Sequence, residues 1–218
     1  MVEELAGMDE PLGDGRNQNV AVLFADIVDF TPLSHRHTGT EIFALLREVL
    51  GLMANCVFLH HGTVDKYLGD GIMATFGTPK STPADAANAL NCGRSMLDNL
   101  AAWNRARIAS GKEPVETGIG IHFGPVVLGD IGDEHRLEYA VIGDTVNIAS
   151  RIERITRDLQ VRMIATDDLV QAASAFDESD SVKHELEIAP PQTVRGVDEP
   201  LAVWTLGSVA PAAPADGA

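Results

Sequence analysis

Asp26 ends the apolar run Val20-Ala-Val-Leu-Phe-Ala, and Asp70 sits between two glycines in Lys66-Tyr-Leu-Gly-Asp-Gly71. Each carboxylate therefore stands where a strand-like segment stops. Two acidic strand tips supply the hard oxygen ligands that Mg²⁺ prefers, and a pair of ions held this way is a recurrent means of transferring phosphoryl groups. The alternative is a pair of ordinary turn aspartates. From Asp26 the chain runs through Ile27, Asp29, Phe30 and Thr31 toward a helix start, and successive backbone N–H groups there could line a nest for a triphosphate. Asp29 lies off the strand end, where capping or solvent exposure suits it better than metal binding.

Asn147 and Arg151 are four residues apart on a helix after Gly143-Asp144, so their polar tips project side by side. An asparagine there can hold a sugar oxygen, and an arginine one turn on can brace a phosphoryl centre whose charge grows in the transition state. Arg154 on the same side favours the plainer reading of a solvated face. Lys66 precedes Asp70 by four residues and is aligned by alternation with Val64 and Leu68, on a face expected to be covered. A lysine directed at a purine N1 favours adenine, whose N1 accepts, over guanine, whose N1–H donates. Otherwise Lys66 blunts an edge strand.

The elements needed to position these groups are legible in outline. A buried strand is predicted over 19–25 and a helix over 41–60 with Leu45, Val49, Met53 and Val57 on one face. Short strands over 63–68 and 72–76 form a hairpin with Asp70 at its tip. A helix opens at Thr82-Pro83 and runs to about 109. Strands over 115–122 and 126–131 are predicted as a second hairpin about Phe123-Gly124-Pro125, followed by an irregular stretch over 132–143. Asp144 or Thr145 is expected to cap the helix carrying Asn147. Strands near 161–165, 182–188 and 201–206 and a short helix over 167–173 complete the sheet. The order is an α+β, ferredoxin-like βαββαβ core with additional C-terminal strands, an antiparallel-rich sheet covered by helices on one face.

The 218 residues suit one domain over 18–207, with 1–17 as a linker or N-terminal tail and 208–218 as a disordered tail. A net charge of −16 without a basic stripe argues against nucleic acid as a partner, so any phosphate site must be local. No apolar run is expected to reach the roughly 18–20 residues of a membrane span, and no signal peptide is visible, so the chain reads as cytoplasmic. If the parent protein is membrane-bound, its anchor lies outside this sequence. Cys56 and Cys92 are read as buried free thiols, and the seven histidines as capping, surface or packing residues.

Together, Phe24-Ala-Asp-Ile-Val-Asp-Phe-Thr31, Lys66-Tyr-Leu-Gly-Asp-Gly71 and Val141-Ile-Gly-Asp-Thr-Val-Asn-Ile-Ala-Ser-Arg-Ile-Glu153 resemble the class III nucleotidyl cyclase catalytic domain. Three long motifs in order are far more specific than any one of them. The resemblance implies that Asp26 and Asp70 bind two Mg²⁺ ions, with Mn²⁺ also supporting activity, and that the Ile27 carbonyl assists. It implies that Lys66 recognises adenine, Asn147 positions the ribose and Arg151 stabilises the α-phosphate transition state. Arg195 in Thr193-Val-Arg-Gly196 falls where the family usually has a lysine for the terminal phosphates. The family's second base-recognition position falls at Ala140, whose side chain offers no hydrogen bond.

The activity implied is conversion of ATP to 3′,5′-cyclic AMP and pyrophosphate, by attack of the ribose 3′-hydroxyl at sites formed between two subunits. A chain carrying both sets of residues implies a homodimer, with an N-terminal regulatory domain outside this sequence as a natural partner. The alternatives are a guanylate cyclase, a catalytically silent nucleotide-binding partner, and a distributive nucleotidyltransferase, which the acidic surface disfavours.

Overall fold

The computed structural model describes residues 15–133, 136–176 and 183–208. Both proposed tails fall almost wholly outside the described residues. The elements are β1 (Arg16–Ile27), α1 (Phe30–His35), α2 (Gly39–Leu59), β2 (Thr63–Tyr67), β3 (Gly71–Phe76), α3 (Asp85–Ala109), β4 (Thr117–Asp133), β5 (Arg136–Ile142), α4 (Asp144–Leu159), β6 (Val161–Thr166), α5 (Asp167–Phe176), β7 (Glu187–Gln192) and β8 (Leu201–Ser208). The sheet order is β2-β3-β1-β4-β6-β8-β7, with β5 pairing β4. Its first four strands follow the ferredoxin-like arrangement, and only the β4–β6 pairing is parallel.

Alternation along β1 sets two faces. Ala21, Leu23, Ala25 and Ile27 join the larger core, which α2, α3 and α5 cover with residues such as Val49, Met53, Leu90, Met96 and Leu169. Val20 and Val22 point the other way, toward Met73, Val126, Leu128 and Ala149 of α4, with Tyr139 and Val141 of β5 packed alongside. So α4 departs from the expected one-sided cover and lies on the opposite face. Alternation places Asp26 on that face.

Helix α2 starts at a capping box in which Thr38 and Glu41 bond reciprocally, two residues earlier than the periodicity alone gives. By length and composition it is apolar enough to cross a membrane, contrary to the expectation that no such run exists. In the fold its buried side joins the core through Leu45, Val49, Met53, Cys56 and Val57. Cys56 and Cys92 are buried free thiols.

The predicted second hairpin is instead one strand. β4 runs unbroken for 17 residues and pairs with β1 from Thr117 to Leu128, Gly124 opposite Val20 and Pro125 opposite Asn19. Phe123-Gly124-Pro125 reads as a turn in sequence, but Pro125 falls between the stretch of β4 that pairs with β6 and the stretch that pairs with β5. A residue without an N–H breaks no second ladder there. The stretch expected to be irregular is mostly β5. The capping expectations also change. Gly143 is the N-cap of α4, and the Thr145 hydroxyl donates instead to the Pro125 carbonyl at 2.7 Å. Helix α3 starts at Asp85, whose carboxylate accepts from the Thr82 N–H and hydroxyl. The strand expected over 182–188 is replaced, where described, by a 3₁₀ turn at Lys183–Glu185 and by β7.

Candidate active site

Asp26 shares the face of Val20 and Val22 at the last turn of β1, while the neighbouring Ile27 side chain is buried in the core. Ile27 can therefore offer a ligand only its backbone. Gly71 of β3 is directly opposite Asp26. A Cβ at Gly71 would approach the Ala25 carbonyl to 2.7 Å and Asp26 Oδ1 to 2.9 Å, so only glycine lets β3 pass so close under the carboxylate. Gly69, at φ +77°, turns the chain between β2 and β3, and Leu68 N–H donates to the Gly71 carbonyl across that turn. This presents Asp70 to Asp26. Burial, then the charge of Asp26 and their shared hydrogen bond, raise the Asp70 carboxyl to about 6. Beyond β1, Asp29 adopts a left-handed conformation at φ 54° that turns Phe30 and Thr31 into α1, with no side-chain cap bond.

Helix α4 reaches the same corner. Glycines 118 and 120 of β4 lie beneath it, where a Cβ would come within 2.4 Å of Thr156 Oγ1 and 2.3 Å of the Glu153 nitrogen respectively. With nothing between helix and strand, Glu153 is buried and Arg157 reaches across. The Arg157 guanidinium is 3.5 Å from Asp26 Oδ2 and 3.4 Å from Glu153 Oε1. Burial lifts the Glu153 carboxyl to about 7, with Arg157 pulling against it. Neither residue was singled out from sequence. The available signal was an i, i+4 Glu–Arg pair on a helix facing a Gly-x-Gly strand.

Lys66 stands opposite Met73, because β2 carries a bulge between Val64 and Lys66. Val64 packs toward the larger core and Met73 toward the α4 face. The expected alignment of Lys66 with Val64 is thus corrected: the extra residue reverses the alternation and puts Lys66 on the Asp26 face. Lys66 Nζ is 3.2 Å from Asp65 Oδ2. Ala140, half-buried on β5, pairs with Gly129. Its neighbour Tyr139 has a buried hydroxyl with no hydrogen-bond partner, pushed up in pKa by burial and further by the charges of Asp130 and Asp65.

Asn147 is exposed and Arg151 half-buried on α4. Arg151 Nη1 donates to the Arg195 carbonyl, and Gly196 at φ +78° leaves room for the guanidinium. Arg151 lies about 120–160° around the helix from Arg157 and Glu153, at about 100° per residue. The structure therefore brings Asp26 to Asp70, and Arg151 to Arg195, but turns Arg151 away from its own chain's aspartates.

A ferredoxin-ordered sheet with paired acids at one tip and an Asn/Arg helix across the same face is the architecture of a nucleotide cyclase domain. The chain matches the adenylate and guanylate cyclase catalytic domain over residues 13–196, and it belongs to that family. It is 36% identical over 153 residues to adenylate cyclase 1 of Rhizobium meliloti, covering 70% of this chain and 23% of that protein. It is 32% identical over 197 residues to an adenylate cyclase of Anabaena cylindrica, covering 88% and 38%. The chain thus spans well under half the length of these curated relatives. Among solved structures, the guanylyl cyclase Cya2 superposes with a TM-score of 0.74 at 32% identity, covering 93% of this chain and 97% of that one. The adenylyl cyclase CyaB from P. aeruginosa gives 0.76 at 25% identity, covering 91% and 98%.

Proposed function

We propose that this domain is an adenylate cyclase, converting ATP to 3′,5′-cyclic AMP and pyrophosphate at two equivalent sites shared between two copies of the chain. The observation that carries the choice of ATP is the β2 bulge, which turns Lys66 onto the face of Asp26. The two curated relatives named adenylate cyclase support it. Residues 18–207 form the catalytic unit, with tails on either side and a regulatory domain outside this sequence. A cytoplasmic location fits an ATP substrate.

The donor set fits two hard divalent cations. Among the described residues no group of three or more His, Cys, Asp or Glu side chains forms a metal cage, but Asp26 and Asp70 lie within hydrogen-bonding distance of each other beside the Ile27 backbone. Mg²⁺ is commonly held by one or two carboxylates together with substrate phosphates. When bound, such ions supply charge neutralisation and activation of the attacking ribose hydroxyl, the chemistry common to two-metal phosphoryl transfer.

The chain's own groups supply the rest. Lys66 Nζ donates to N1 of adenine and discriminates against the N1–H of guanine. Asn147 holds the ribose, Arg151 meets the charge growing on the α-phosphoryl oxygens, and Arg195 steadies the terminal phosphates, aided by backbone N–H groups at Phe30 and Thr31. Since Arg151 points away from its own Asp26, the two meet across a subunit boundary. Ala140 contributes shape but no side-chain hydrogen bond to the base. This leaves guanylate cyclase activity as the second reading, favoured by the likeness to Cya2.

The test is chromatography of the products after incubation with ATP or GTP in Mg²⁺ and, separately, in Mn²⁺. Cyclic AMP formed faster than cyclic GMP is the expected result. Equal or faster turnover of GTP would overturn the assignment of ATP. No cyclic product from either nucleotide, from a folded dimer, would identify a silent nucleotide-binding partner instead.

A further inference from the structure

Arg157 reaches the paired aspartates, and no motif assigned it a part. Its guanidinium spans two carboxylates, at 3.5 Å from Asp26 Oδ2 and 3.4 Å from Glu153 Oε1. The Glu153 side chain is only 6% exposed, and its Oε1 is buried without a hydrogen-bond partner. A buried carboxylate so placed is costly unless a charge compensates it, and Arg157 is the group that does so. The same guanidinium thereby reaches the outer side of Asp26.

We propose that Arg157 is a tethered counter-ion that holds Asp26 in the metal-free protein and is displaced from it on metal loading, so that it sets the metal affinity of the centre. The inference rests on the reading of Asp26 and Asp70 as metal ligands. A divalent cation beside Asp26 repels a guanidinium on the same carboxylate, so the two compete. Arg157 has somewhere to go: its side chain is 35% exposed and lines a cavity of about 480 Å³ that also borders Val28, Asp29 and Glu116. Withdrawal into that cavity moves the guanidinium off Asp26 without moving α4, which is seated on Gly118 and Gly120.

The experiment is titration of Mn²⁺ into nucleotide-free protein, following free Mn²⁺ by electron paramagnetic resonance, with thermal melting in EDTA and in saturating Mn²⁺. Arg157→Gln removes the competitor and should tighten Mn²⁺ binding by up to about fivefold, the scale of a partly exposed ion pair. It should lower the melting temperature by about 2–4 °C in EDTA and by much less in Mn²⁺. Unchanged or weaker Mn²⁺ binding would overturn the proposal, as would an equal melting loss in both conditions, which marks a purely structural role. If Arg157→Gln fails to fold, Glu153→Gln carries the test at pH 8, where Glu153 is charged. It leaves Arg157 undivided on Asp26 and should weaken Mn²⁺ binding, so an unchanged or tighter affinity would overturn the proposal. Asp26→Ala separates the two readings: Mn²⁺ binding that survives it removes the metal assignment itself, and this inference with it.

Discussion

The two ends of the α4 face are built differently. At the aspartate end Asp26, Asp70, Glu153 and Arg157 touch one another within a single chain, and burial and mutual charge raise the Asp70 and Glu153 carboxyls. At the other end Asn147 and Arg195 are exposed, and Arg151 contacts Arg195 rather than any aspartate. The first end is a finished cluster. The second is a more open set of polar side chains. Helix α4 belongs to both, with opposite sides turned to each, as the proposed shared site requires.

The most severe way to break that comparison is to disable one end in each of two chains. Asp26→Ala and Arg151→Ala should each reduce turnover by about 100-fold or more, since the first removes a proposed metal ligand and the second a positive charge aimed at the transition state. An equal, freely exchanging mixture of the two should recover about a quarter of the wild-type activity, because half the dimers carry one intact site. Failure to recover, with subunit exchange verified, would place both ends in one chain's site.

A smaller effect tests what seats α4. Gly120→Ala puts a methyl group 2.3 Å from the Glu153 nitrogen and should cost about 1–3 kcal/mol of stability by forcing helix and strand apart, measured by urea unfolding. Gly111→Ala, which meets no neighbour but sits at φ +73°, should cost about 1 kcal/mol by comparison.

The last effect is one of pH. Glu153 holds its proton to about 7 in the folded chain against an ordinary value of 4.5. Between those values the folded state binds more protons than the unfolded one, so its contribution favours folding at low pH and is lost as pH rises through about 7. Glu153→Gln should therefore raise stability at pH 8 by about 2 kcal/mol relative to its effect at pH 4.5, read from melting in EDTA across that range. A pH-independent effect would mean that Glu153 is charged throughout and that the aspartate end is less buried than its packing indicates.

How much of this was legible in the sequence differs between the same two ends. Asp26 and Asp70 could be found because an apolar run must stop somewhere, and because glycines on both sides of Asp70 announce a tight turn. The ferredoxin-like order followed from hydrophobic periodicity. Three features were hidden for physical reasons. The β2 bulge adds a residue without changing composition, so alternation counted through it gives the wrong face for Lys66. Phe123-Gly124-Pro125 carries turn chemistry, yet the pairing of β4 with β1 outweighs it. Glu153 and Arg157 look like a surface pair until glycines 118 and 120, distant in sequence, are known to lie beneath them.

The bulge has an evolutionary side. A side chain on a strand points one way or the other, so the length of β2 behaves as a two-valued variable rather than a graded one. Smoothing out the bulge with every residue kept would put Lys66 opposite Ile72, on the buried side, while leaving both aspartates in place. Lineages can therefore drift in the amino acids around this hairpin, but the bulge and the number of residues between Val64 and Lys66 have to change together.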